Sequence, residues 1–267
     1  MMKDIDINEC HNILLNIAEA FDAICRKHNI PYYMLGGTML GAIRHKGFIP
    51  WDDDMDFGVE RQYFSKLKKV LSDELPINYK IRTPDNSLNF LSNFIKIEDS
   101  RTEVCDHWHD HLTDVGICID IFPLDKGRKS FFQTKVLLSY VVFLLQIKNY
   151  IYFDPKFRHG LKKYIAIILR KTNFISIKKR LNQVDNVICR FVKKESGYLV
   201  NYYGRYGKKE ITSKEIFGKP TDYTFDRIML KGVENPEHFL SRLYGDNYMQ
   251  LPPKEKQENH SNIMRYK

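Results

Sequence analysis

The sequence predicts an α/β (α+β) protein: a mixed sheet with flanking helices, then a basic helical region, then a loop-rich C-terminal segment. Three observations point there. Short apolar runs alternate with helical periodicity over the first 125 residues, residues 126–194 carry 17 Lys/Arg against 2 Asp/Glu, and the remainder is rich in Gly, Pro and Tyr. The expected units are a catalytic core at 1–125, a basic helical region at 126–200, and a segment at 201–267 that completes the active-site side.

Apolar residues at helical spacing (Ile13, Leu14, Ile17, Phe21, Ile24) predict a first helix from Asp6 to His28, ended by Asn29–Pro31. A short strand follows at Tyr32–Leu35, then a tight Gly36–Gly37 turn and a helix from Thr38 to Arg44. Gly47 and Pro50 break the chain before a strand over Asp52–Val59. A helix is expected over Gln62–Leu75, with strands at Asn93–Glu98 and Gly116–Phe122. The most apolar stretch, Val136–Ile147, falls short of the roughly 20 residues a membrane span needs and reads as a buried helix.

With 267 residues, 43% hydrophobic and 28% charged, the chain can bury a substantial core and is not disordered. The acidic, polar start predicts no secretory leader, and five scattered cysteines suggest reduced thiols, so a cytoplasmic protein is expected. The local charge of +15 over residues 126–194 contrasts with −6 elsewhere. Such a region attracts anions, and Leu161–Leu181 suits peripheral contact with an anionic membrane on the inner face of the cell membrane. No nucleic-acid-reading motif is present.

The chemistry concentrates between Met34 and Val59. On a strand over Asp52–Val59, Asp54 and Asp56 share a face, with Met55 turned to the core. Paired carboxylates repel unless a cation neutralises them, and magnesium or manganese prefers hard oxygen ligands. Asp120, a charge within the apolar run Ile117–Phe122, is the expected third ligand, completing a site for two ions. Gly36 and Gly37 let the backbone approach a phosphate, and Thr38 adds a hydroxyl. Gly-Gly-Thr followed after sixteen residues by Asp-x-Asp, with a buried acid downstream, is the pattern of the nucleotidyltransferase fold.

Arg44, His45 and Lys46 lie between the glycines and the carboxylates. Arg44 is the natural bidentate phosphate contact. Trp51 is a wall or a core residue, and Asp52 a supporting group behind the primary ligands. Tyr32, Tyr33, Trp108, Tyr244 and Tyr248 are available to cage a quaternary ammonium. His107, His109 and His111 lack the cysteine pairs of a structural zinc site.

The stretch GGTMLGAIRHKGFIPWDDDMDFGVER resembles the LicD/fukutin family, as do Ile119–Asp125 and Tyr244–Pro253 followed by His260. The resemblance implies a divalent metal and a CDP-linked donor, with CDP-choline favoured over CDP-ribitol or CDP-glycerol. It also implies a glycan or lipid-linked glycan acceptor. The expected reaction is attack of a glycan hydroxyl on the distal phosphorus with release of CMP. Asp54, Asp56 and Asp120 would hold the metal, and Asp120 is the candidate proton acceptor. The rivals are nucleotidyl transfer from an NTP and a non-catalytic membrane-binding module.

Overall fold

The computed structural model describes residues 3–86, 90–105, 115–152, 155–173, 175–192, 196–257 and 263–267. Helix α1 (Ile7–Lys27) starts where the Asp6 carboxylate accepts the Glu9 N–H at 2.8 Å, satisfying one of its open amides. Its apolar stripe, Ile13, Leu14, Ile17 and Phe21, is buried as the periodicity requires. That stripe covers a sheet made of β1 (Tyr33–Met34), β2 (Asp56–Glu60), β3 (Tyr79–Arg82), β4 (Ile95–Asp99) and β6 (Cys118–Lys126), in the order β1-β2-β6-β4-β3. The pair β2/β6 is parallel and its neighbours antiparallel, so the sheet is mixed. Helix α2 (Gly36–Arg44) leaves β1 directly, and α3 (Arg61–Glu74) follows β2 without a loop.

β5 (Thr102–Cys105) lies outside this sheet and pairs with β11 (Ile263–Tyr266), bringing the two distant segments together. The middle of the chain holds α4 (Phe131–Tyr152), α5 (Leu161–Lys171) and α6 (Ile177–Phe191). Leu137, Leu138 and Val141 of α4 pack with Val184 and Ile188 of α6 in a second core. Val200 of β7 (Tyr198–Val200) and Ile211 of β8 (Ile211–Ser213) complete it. β7 pairs with the end of β6 and with β8, which joins this helical layer to the sheet.

Several expectations need correction. The strand over Asp52–Val59 begins only at Asp56, so Asp54 lies in the extended approach to it. Gly36 and Gly37 are the first two residues of α2 and not a turn before it. β6 runs through Pro123 to Lys126 instead of ending at Phe122. The C-terminal segment is far from loop-like. It holds α7 (Lys214–Phe217), the hairpin β9 (Thr221–Phe225) and β10 (Ile228–Gly232), and α8 (Pro236–Tyr244), which packs on α2. Its Phe225, Leu230, Phe239 and Leu240 belong to the same core as α1 and β2.

The apolar run at 136–147 is part of a 22-residue helix, long and apolar enough to cross a membrane by length and composition. Only 28% of its most apolar window is buried, so it is not the buried helix expected.

Candidate active site

Asp56 and Asp120 occupy paired positions on the parallel strands β2 and β6. Paired residues of neighbouring strands project to one face, with backbones about 4.8 Å apart. The two carboxylates therefore stand side by side, while Met55 before them is fully buried, as expected of a core residue. Asp52 and Asp54 come from the loop leading into β2 and line the same cleft. That loop is fixed from α1. His11 stacks on Phe48 at 4.0 Å, and its Nε2 lies 2.6 Å from the Asp52 carbonyl, which can only accept.

Electrostatics mark the pair as short of positive charge. Burial pushes the Asp56 pKa well above the usual carboxylate range, with Asp54 and then Asp120 adding to the shift. Burial also raises Asp120, against the opposing pull of Lys96. Lys96 of β4 sits opposite Asp120 in the antiparallel register, and its Nζ donates to both oxygens, at 2.5 and 2.8 Å. Burial works against the Lys96 charge, but Asp120 more than offsets it, leaving the ammonium harder to deprotonate than usual. Asp120, the candidate proton acceptor, thus carries an ammonium on both its oxygens.

The cleft above these groups measures about 1090 Å³. Gly36 and Gly37 line it, at an α2 N-terminus that has no side-chain cap. Open amides at a helix start favour an anion. Gly36 has φ +48°, a backbone state most side chains avoid, and its missing Cβ would lie 3.5 Å from the Asp56 carboxylate. At Gly37 a Cβ would come within 2.6 Å of Asp52 Oδ2. Gly37→Ala should push Asp52 out of place and lower kcat/KM about 100-fold, the cost of an ångström-scale misplacement. A change smaller than twofold would show that Asp52 has no part in positioning.

Other expected contacts divide. Thr38 is buried, and its Oγ1 accepts the Asp56 N–H at 2.8 Å, so it ties β2 to α2 instead of lining the cleft. Arg44 lines the cleft, and its Nη1 holds the carbonyls of Tyr248 and Gln250 at 2.9 and 3.2 Å. Trp51 is a wall, with His45 edge-on to it at 6.4 Å. His45 and Lys46 do not line the cleft: Lys46 is exposed with φ +61°, and its carbonyl accepts the Asp226 N–H. Tyr32 and Tyr33 are buried with their hydroxyls on Asp22 and the Gly218 carbonyl, so neither cages a ligand here. His107, Trp108, His109, His111 and His260 lie outside the described residues.

The opposite wall comes from the C-terminal segment. Tyr206 and Tyr244 stand at 77° with hydroxyls 2.8 Å apart, and Tyr203, Tyr248 and Arg205 are beside them. Burial works against the Arg205 charge, but Tyr206 and Asp54 favour it. Glu210, pushed by burial to about 7, accepts the Tyr206 N–H at 3.1 Å. Sequence reasoning missed Lys96, Arg205 and Glu210. Lys96 had a signal: a lysine in the strand Asn93–Glu98, which an inward carboxylate could pair.

Among the described residues, no group of three or more His, Cys, Asp or Glu side chains is gathered tightly enough to enclose a metal ion. The donor set still suits magnesium or manganese, which bind through one or two carboxylates and take remaining ligands from water and substrate phosphates.

Residues 29–140 match the family described as LicD/FKTN/FKRP, nucleotidyltransferase domain. These residues run from β1 through β6 and hold Asp54, Asp56, Lys96 and Asp120. The chain is 28% identical to the lipopolysaccharide cholinephosphotransferase LicD of Haemophilus influenzae, across 97% of each chain. It is 30% identical to an uncharacterized protein of Rickettsia prowazekii over 42% of this chain and 33% of that one.

Proposed function

We propose that this chain is a LicD-like enzyme that transfers phosphocholine from CDP-choline to a hydroxyl of a glycan, releasing CMP. The observation that carries this reading is the Asp56–Asp120 pair at the foot of a cleft that also holds the open start of α2. A diphosphate fits between them: its oxygens take the amides at Gly36 and Gly37 and the guanidinium of Arg205. The perpendicular rings of Tyr206 and Tyr244, with Tyr248 nearby, offer aromatic faces to a quaternary ammonium.

Asp54, Asp56 and Asp120 would hold magnesium or manganese together with the donor's diphosphate oxygens, and such ions neutralise the diphosphate and the leaving phosphate. The glycan hydroxyl oxygen forms a bond to the distal phosphorus, and the bond from that phosphorus to the bridging oxygen breaks. CMP departs with the electron pair. The hydroxyl proton passes to a cleft carboxylate oxygen that the ions leave open. Lys96 holds Asp120 in orientation through that exchange.

A donor screen tests the reading. Purified protein with magnesium and a glycan acceptor should release CMP from CDP-choline at least about tenfold faster than from CDP-ribitol or CDP-glycerol, a modest preference for a cation–aromatic contact. Pyrophosphate from CTP, without CMP from any CDP-alcohol, would instead establish nucleotidyl transfer.

A further inference from the structure

Helix α5 is seated the wrong way round for a water-soluble protein. Its apolar stripe, Leu161, Tyr164, Ile165 and Ile168, recurs at one helical face and points to solvent, with Leu161 75% and Ile168 60% exposed. Ala166 alone of its residues is buried. Helix α4, packed against α5, adds a second outward stripe of Phe132, Val136, Tyr140 and Phe143, spaced to share one side of the helix. Phe132 is 72% exposed.

The surroundings are cationic. Residues 155–184 contain nine Lys/Arg and no Asp/Glu. Lys162, Lys163, Arg170 and Lys171 of α5 itself are all exposed. An amphipathic helix with its apolar face outward and a basic flank is the form that lies in the plane of a bilayer interface. Lysines and arginines beside such a face are drawn to anionic headgroups.

We propose that α5 and the outer stripe of α4 dock this protein onto an anionic membrane surface. The charge chooses the occupant: two copies of this face brought together would oppose their like charges across the contact, whereas an acidic leaflet neutralises them. Docking does not require α4 to cross the bilayer. Leu137, Leu138 and Val141 stay packed in the second core, and the Lys148 ammonium of the same helix is held by the Leu91 carbonyl. The inference stands apart from the reaction assigned above, since none of these residues lines the cleft.

Flotation of the full-length protein with vesicles tests it. Vesicles of phosphatidylglycerol mixed with phosphatidylcholine should carry the protein up, and pure phosphatidylcholine vesicles should not. Raising salt from about 0.05 M to about 0.5 M should release it, because the shorter screening length weakens headgroup attraction. Leu161→Glu/Ile168→Glu, and separately Lys162→Gln/Lys163→Gln/Arg170→Gln/Lys171→Gln, should each lower vesicle partitioning at least about tenfold. Both variants should keep the wild-type circular dichroism and CMP release on a soluble acceptor. Wild-type protein that stays unbound with acidic vesicles overturns the proposal. So does unchanged binding in either variant, or a dimer in vesicle-free solution that Leu161→Glu/Ile168→Glu converts to monomer.

Discussion

Replacing Asp56 by Asn is expected to lower CMP release about a thousandfold, the upper end of what removing one preorganised electrostatic group costs, while raising the melting temperature. The two effects share one cause. Burial first, then Asp54 and Asp120, hold the Asp56 pKa well above the usual carboxylate range. A carboxyl with a raised folded-state pKa stabilises the fold while protonated. That contribution is complete below its unfolded pKa and is lost as pH rises through the folded value. Above the folded-state value the wild type carries a crowded negative charge that the amide does not. Each kcal/mol relieved should raise Tm by about 2–4 °C. The gap between variant and wild type should narrow on acidification, as the wild-type Asp56 takes up its proton. Thermal denaturation from alkaline to acidic pH reads this directly, and a variant that melts lower than wild type at the alkaline end contradicts it.

The second large effect concerns what holds β2 and β6 together beneath the site. Arg61, the first residue of α3, donates from Nε and Nη2 to the Asp125 carboxylate at 3.0 and 2.7 Å and reaches Asp185 of α6 at 3.0 Å. The Asp125 side chain is only 2% exposed. Tyr203, a wall of the cleft, donates to the same Asp185 at 2.6 Å. Asp185 is one of two acids in the basic region, and it serves to tie α6 to the catalytic strands.

Arg61→Met leaves Asp125 buried without its partner, a change that costs about 3–5 kcal/mol, and Tm should fall by roughly 10 °C. Arg61→Met/Asp125→Leu should recover most of that loss, because an apolar pair replaces the buried charges at little net cost. Urea titration of the two variants separates a true ion-pair coupling from simple loss of packing. Equal destabilisation of both would locate the cost in packing.

Much of the site was legible because its residues sit close in sequence. Met55 is buried where alternation put it, and Asp120 stands out as a charge in an apolar run. Local pattern also finds α1, α3 and β4, whose periodicities are strong. It fails where distant partners decide the structure. β5 forms against β11 more than 150 residues later, and four-residue segments of that kind carry no local signal. Tyr203, Arg205 and Tyr206 reach the cleft because β7 pairs with β6 and returns the chain to the sheet, a connection that turn-rich composition disguises. The same holds for Arg44. Its sequence position suggests a phosphate contact and it does line the cleft, but its Nη1 bonds to the distant Tyr248 and Gln250 carbonyls carry no local signal.

The proposed chemistry needs negative side chains from two neighbouring strands to gather cations against a diphosphate, and manganese titration tests that most directly. Calorimetry of wild type and Asp56→Asn, each with CMP present, compares one folded protein with another differing by a single oxygen-for-nitrogen exchange. The wild type should bind manganese, and the variant should bind it at least about tenfold more weakly, as removal of a hard anionic ligand requires. Equal affinity in the two proteins would place the ion, and with it the proposed chemistry, elsewhere.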